Sequence, residues 1–243
     1  MMNSRPSENP DAISITYTFR FAGDQSAHVP LSFDRATFEL RPSGAGEGLA
    51  WTALAFCQCA HCPLTAVPSS RCPFARAIAE IIPHFEAFYS YEETIVEVAT
   101  AQRTIVARCP LQNGMAALIG LIGATCGCPL LAFLRPMARF HLPFASEEET
   151  MYRAVATDLL RQYLSSGPDH RDGPATLDGL RRCYEAAAEV NMGMAARIRA
   201  GSGKDAAING LIILDTFAQA APYVIDGKLE ELRYVFDGAD RHE

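Results

Sequence analysis

Four of the eight cysteines in this 243-residue chain stand immediately before a proline, and three crowd into one six-residue stretch. Cys57, Cys59 and Cys62 read C-Q-C-A-H-C-P, and Cys72-Pro73 follows. Further on come Cys109-Pro110 and Cys126-Gly127-Cys128-Pro129. Thiols at such spacings hold a metal ion, an iron–sulfur cluster or a redox pair, so a fold built on this chain is expected to bring distant sulfurs to one place. No other catalytic signature in the chain is complete.

A C-x-x-C turn such as Cys59-Ala60-His61-Cys62 points two sulfurs at one ion, and two further ligands must come from elsewhere. Cys72-Pro73 and Cys128-Pro129 both sit at predicted helix starts. Proline is favoured at the first helical position, which places each cysteine at an N-cap, where the helix dipole favours a thiolate. The expected ligands are Cys59, Cys62, Cys72 and Cys128, with Cys57, His61, Cys109 and Cys126 as substitutes. Zinc is the first expectation and an iron–sulfur cluster the alternative, which the Cys-Pro steps and apolar surroundings also suit. The plainer account is that these cysteines fill space in a core. That account is preferred for Cys109 and Cys183.

No acidic residue lies between Glu97 and Glu147, while Arg103, Arg108, Arg135 and Arg139 fall in that window. Near the sulfurs they would offset a four-thiolate charge; equally, they would suit an anionic ligand. His141, in Arg135-Pro136-Met137-Ala138-Arg139-Phe140-His141, is a weak candidate for a proton carrier or ligand, against a histidine satisfied by backbone in a buried linker. Asp205 and Asn209 share a helix face that Asn191 approaches, either a buried polar network or a small polar pocket. Gly201-Ser202-Gly203-Lys204 is not a phosphate loop, because Ile198 stands where the first glycine belongs.

The formal net charge of −7 argues against nucleic acid or anionic membrane as a partner. Residues 1–11 have no apolar run after Arg5, so they read as a disordered leader rather than a signal or transit peptide. The expected compartment is therefore the reducing cytoplasm, where disulfides do not account for eight cysteines.

Ile13, Ile15, Tyr17, Phe19 and Phe21 alternate, as do Val29, Leu31 and Phe33, with Gly23-Asp24 as the turn. These predict antiparallel strands, with a third near Thr37–Arg41. A helix follows Pro73 with a kink at Pro83, and a second strand pair covers Ile95–Val98 and Thr104–Val106. Leu111–Leu134 carries no charge in 24 residues. Its glycines, Gln112, Asn113 and Pro129 favour a pair of buried helices, broken at Cys126–Cys128, over a membrane span. Ser146 with Glu149 is a capping box that opens a helix to about Leu164. Two more helices follow, one to about Ala200 and one capped by Ser202 with Asp205; a last covers Leu229–Phe236. The expected fold is α+β: a leader (1–11), a mixed cysteine-containing region (12–145) and a helical half (146–243), the last two packed as one unit.

The strings W-T-A-L-x-x-C-x-C-x-x-C-P-L from Trp51, C-P-F-A from Cys72, C-P-L-L from Cys128 and R-P-M-A-R-F-H-L-P-F-A-S from Arg135 resemble those of an uncharacterised family of bacterial cysteine-containing proteins. The resemblance covers most of the chain after the leader. It implies no activity, and only that the choice of Cys59, Cys62, Cys72 and Cys128 is sensible.

The functional expectation is a metal-binding protein that acts as a sensing or protein-interaction module, meeting a partner through its helical half. The alternative is an enzyme with a thiol- or metal-dependent site between the halves. It would use an anion pocket of Arg135, Arg139 and His141 and a reactive thiolate at Cys126 or Cys57.

Overall fold

The computed structural model describes residues 10–44, 48–67, 69–165, 176–201, 205–227 and 229–237. Most of the expected leader, the Ser202 cap and the loop between the first two long C-terminal helices lie outside these residues.

Strand β1 (Ala12–Arg20) buries Ile15, Tyr17 and Phe19 on one face, as period-two patterning requires. It pairs antiparallel with β2 (Ser26–Asp34) across a turn in which Gly23 (φ 70°) and Asp24 (φ 59°) take left-handed conformations. On its other side β1 pairs antiparallel with β3 (Glu93–Ala99), which pairs with β4 (Thr104–Pro110), so the sheet runs β2-β1-β3-β4. The third strand expected at Thr37–Arg41 is a single bridge, Leu40 to Phe33. Asp34 explains the difference: its Oδ1 accepts the N–H groups of Ala36 and Thr37, both at 2.9 Å, and turns the chain back. Phe38 then stacks on Phe33 instead of extending a strand.

Helix α1 (Pro73–Ile81) begins at Cys72 as N-cap with Pro73 in its first turn, and passes at Pro83 into a 3-10 turn, Ile82–Phe85. Helix α2 (Leu111–Thr125) lies across the sheet, where Gly114 permits the approach. A Cβ there would stand 2.6 Å from the Phe19 ring. The uncharged stretch therefore forms one buried helix, followed by a turn, a 3-10 turn (Ala132–Leu134) and the short α3 (Arg135–Arg139). At 15 residues α2 is too short to cross a bilayer.

Ser146 and Glu149 cap α4 (Glu147–Ser165) reciprocally, at 2.8 and 3.1 Å. Helices α5 (Asp178–Gly201) and α6 (Asp205–Asp226) pack along each other, and α6 also packs on α2, where a Cβ at Gly210 would meet Ala116 N at 3.0 Å. A 3-10 segment, Glu230–Phe236, closes the described chain. Among the described residues α6 alone is long and apolar enough to span a membrane by length and composition, and it packs here on α2 and α5. The architecture is α+β: an antiparallel sheet and α1 in the first half, helices in the second, around one continuous core.

Candidate metal centre

The cysteine segment leaves the body through a closed neck. Leu54 N donates to Ser70 O at 3.0 Å, Cys72 N donates to Thr52 O at 2.9 Å, and Ala53 bridges Arg71. Arg71 Nη1 adds bonds to Leu49 O and Thr52 Oγ1. From this neck Cys57, at φ 46°, turns the chain, and Cys62 N donates to Cys59 O at 3.1 Å in the tight C-x-x-C turn. Across the junction, α2 ends at Thr125, and Gly127 (φ 88°) redirects the chain into Cys128-Pro129.

These three segments bring sulfurs together. Burial first, then Cys72 and Cys62, raises the Cys59 thiol. Burial pushes Cys128 up to about 11, with further upward pressure from Cys72 and Cys59, while the N–H groups of Leu130 and Leu131 bond its sulfur and act the other way. Cys126 is partly buried, and its desolvation pushes its thiol well up, with Cys128 and Cys72 adding to it. So Cys59 feels the charge of Cys62, Cys72 and Cys128, and Cys72 that of Cys128 and Cys126, whereas Cys62 is linked in this way to Cys59 alone. Cys128 was expected at a helix N-cap. It opens a turn instead, with Leu131 N on Cys128 O, because Pro129 is followed only by a short 3-10 segment. Its two amide bonds nevertheless supply the thiolate-favouring N–H groups that a helix start would offer.

The remaining candidates lie outside this group. Cys57 is exposed. His61 is exposed and engaged by Glu189, its Nδ1 2.6 Å from Oε2, and that bond raises its pKa. Cys109 ends β4 with the Gly114 N–H on its sulfur, and Cys183 sits on α5 near Asp158 and Arg161. Among the described residues, no three His, Cys, Asp or Glu side chains stand close enough to grip an ion as placed.

One charge beside Cys59 has no counter-ion among the described residues. Arg197 on α5 is 1 % exposed and donates to the carbonyls of Trp51 (3.0 Å), Ala53 (2.7 Å) and Leu54 (2.8 Å). No carboxylate among the described residues pairs with it, and its charge favours the Cys59 thiolate. Carbonyls satisfy its N–H groups but leave a buried net charge, and buried charges are ordinarily paired. The arginines expected near the sulfurs are elsewhere. Arg108 lies near Glu93 on the exposed edge strand and Arg103 is exposed. Arg135 pairs with Glu39 at 2.8 Å, and Arg139 lies over the rings of Phe38 and Phe140.

His141 is held apart from Arg135 and Arg139. Its Nε2 is 2.5 Å from the hydroxyl of Tyr17, a fully buried side chain whose phenol is held protonated by burial. That hydroxyl has no other partner among the described residues, so it donates, and the neutral imidazole carries its own proton on Nδ1. Burial, helped by Arg153, depresses His141 to about 4. Asn209 bonds Asp205 and Ser90, whose N–H also reaches Asp205, so the polar trio is internally satisfied; Asn191 faces a different cavity.

An antiparallel sheet joined to a helical half defines an α+β class. The profile described as "Domain of unknown function (DUF6901)" matches residues 15–237, so the chain belongs to that family. No curated protein and no solved structure matches the chain.

Sequence reasoning missed Arg197. Val190, Met194 and Gly201 share its stripe of α5, and an arginine on an otherwise apolar stripe was the available signal.

Proposed function

We propose that this protein binds a metal through Cys59, Cys62, Cys72 and Cys128, with zinc as first assignment and an iron–sulfur cluster as second, in a reducing compartment. The observation that carries the reading is Arg197, a buried cation with no carboxylate partner among the described residues, set where its charge favours the Cys59 thiolate. A thiolate centre is the counter-charge it lacks. The C-x-x-C turn, the N-cap position of Cys72 and the two amides on Cys128 are chemically suited to thiolates. Cys126 is a fifth thiol in reserve. A bound ion would tie the cysteine loop, the start of α1 and the turn after α2 together, a structural or sensing role. The exposed Leu160, Tyr163 and Leu164 of α4 suit a protein partner on the helical half.

The test is elemental analysis with an absorption spectrum on anaerobically purified protein. Zinc predicts about one colourless ion per chain whose chelation unfolds the protein; an iron–sulfur cluster predicts a brown protein that oxygen bleaches. Protein that is metal-free as isolated and fails to compete with a chelator for Zn²⁺ and Fe²⁺ sinks the proposal.

A further inference from the structure

We propose that the cavity between α2, α4 and α6 binds a small carboxylic acid with an apolar body, a site separate from the thiol centre and independent of the metal reading. The cavity holds about 490 Å³ and adjoins a chamber of about 120 Å³, with Gly120, Leu134, Leu214 and Phe217 lining both. The first volume falls in the range of small-molecule pockets. Its floor is the small-residue face of α2, Ala116, Ala117, Gly120 and Ala124, opposite Leu214 and Phe217. Such walls accept hydrocarbon and offer it no polar partner.

The cavity's polar lining includes Asn113 and Thr150, the latter with its hydroxyl donated to Ser146 O, besides the charged groups. Arg153 and His141 line the larger chamber. Arg153 Nη2 donates to the carbonyls of Met137 and Phe140, both at 2.9 Å. Glu149, one turn earlier on α4, lends Arg153 a favourable charge, but among the described residues no carboxylate forms an ion pair with it and only its Nη2 is hydrogen-bonded. His141 spends Nε2 on Tyr17, which leaves the Nδ1–H as a second uncommitted donor. A guanidinium fork and an imidazole N–H together match a planar carboxylate. Glu147 and the exposed Arg108 also line the chamber, so its formal side-chain charge is not negative. Tyr184 lines the inner chamber within reach of the Arg153 charge, is 2 % exposed, and its buried hydroxyl has no partner among the described residues. An acceptor oxygen on the ligand's apolar body would satisfy it, whereas a plain hydrocarbon tail would not.

The experiment uses full-length protein, with octanoate, 1-octanol and 7-oxo-octanoate as calorimetric probes. Octanoate should bind about tenfold or more tightly than 1-octanol, the margin of one charge-assisted anchor. Arg153→Gln should lose that preference, and Arg153→Lys should keep most of it. The lysine variant also serves as the test if the glutamine variant does not fold. The 7-oxo acid should outbind octanoate in the native protein and lose that edge in Tyr184→Phe. Cys109 lines the same chamber, so octanoate should slow its alkylation at mildly alkaline pH, read by peptide mapping, whatever the metal content. Absent heat with millimolar octanoate, unprotected Cys109, or a folded Arg153→Gln that still prefers octanoate overturns the site. An equal edge for the 7-oxo acid in Tyr184→Phe overturns the Tyr184 contact.

Discussion

Arg197 Nη2 donates a 2.8 Å hydrogen bond to the carbonyl oxygen of Leu54, 143 positions earlier in the chain. Through this bond and its two neighbours, α5 grips the neck of the cysteine loop. Replacing the guanidinium by a thioether orphans three carbonyls, so Arg197→Met should lower stability by about 2–4 kcal/mol in urea titrations. The same change removes the charge that favours the Cys59 thiolate, so alkylation of Cys59 should slow at fixed pH. A labelling profile identical to the native one would show that Arg197 does not act on the sulfur.

Gly201 lets the end of α5 lie against the only tryptophan. A Cβ there would fall 2.2 Å from Trp51 Cγ, which no real contact tolerates. Gly201→Ala should therefore cost about 1–3 kcal/mol through displaced packing and shift the tryptophan emission maximum. An unchanged spectrum with native stability would contradict this approach.

The thiols should separate into two groups by metal retention. Cys59→Ser, Cys72→Ser and Cys128→Ser should each bring bound metal from about one ion per chain to a small fraction, since a four-ligand site loses one quarter of its donors. Cys183→Ser, on the far part of α5, should retain it. Equal retention in all four variants, measured by elemental analysis, would refute the ligand assignment.

His141 should make the protein acid-sensitive. Its ordinary pKa is 6.5 and its folded value about 4, so between those limits the unfolded chain takes up a proton that the folded one refuses. Stability should fall as pH drops through that window and level off below it, by at most about 3 kcal/mol. Urea unfolding at pH 7 and pH 4.5 reads the loss, and His141→Gln should show less of it. An equal loss in the variant would assign the acid sensitivity elsewhere.

Local chemistry made much of the fold legible. Alternation named Ile15, Tyr17 and Phe19, the Cys72-Pro73 step named a helix start, and Ser146 with Glu149 named another. Neighbours in the chain decide such features. The turn at Asp34 depended on one side chain capturing two amides, which cost the expected third strand. The segment after Cys128 lacked the length to continue as an α-helix. Arg197 and the Tyr17–His141 pair were illegible for a different reason: their partners lie more than a hundred positions away, and no local pattern encodes such a meeting. The arginines that looked promising by window, Arg135 and Arg139, were claimed instead by Glu39 and by aromatic rings.

The neck at Thr52–Leu54 and Ser70–Cys72 fastens both ends of the cysteine loop side by side. The loop above this clasp rests on α5, with His61 on Glu189 and Cys59 beside Gly193. Val67, 84 % exposed and three residues before Ser70, is where a peptide tag could be spliced in while the clasp stays shut.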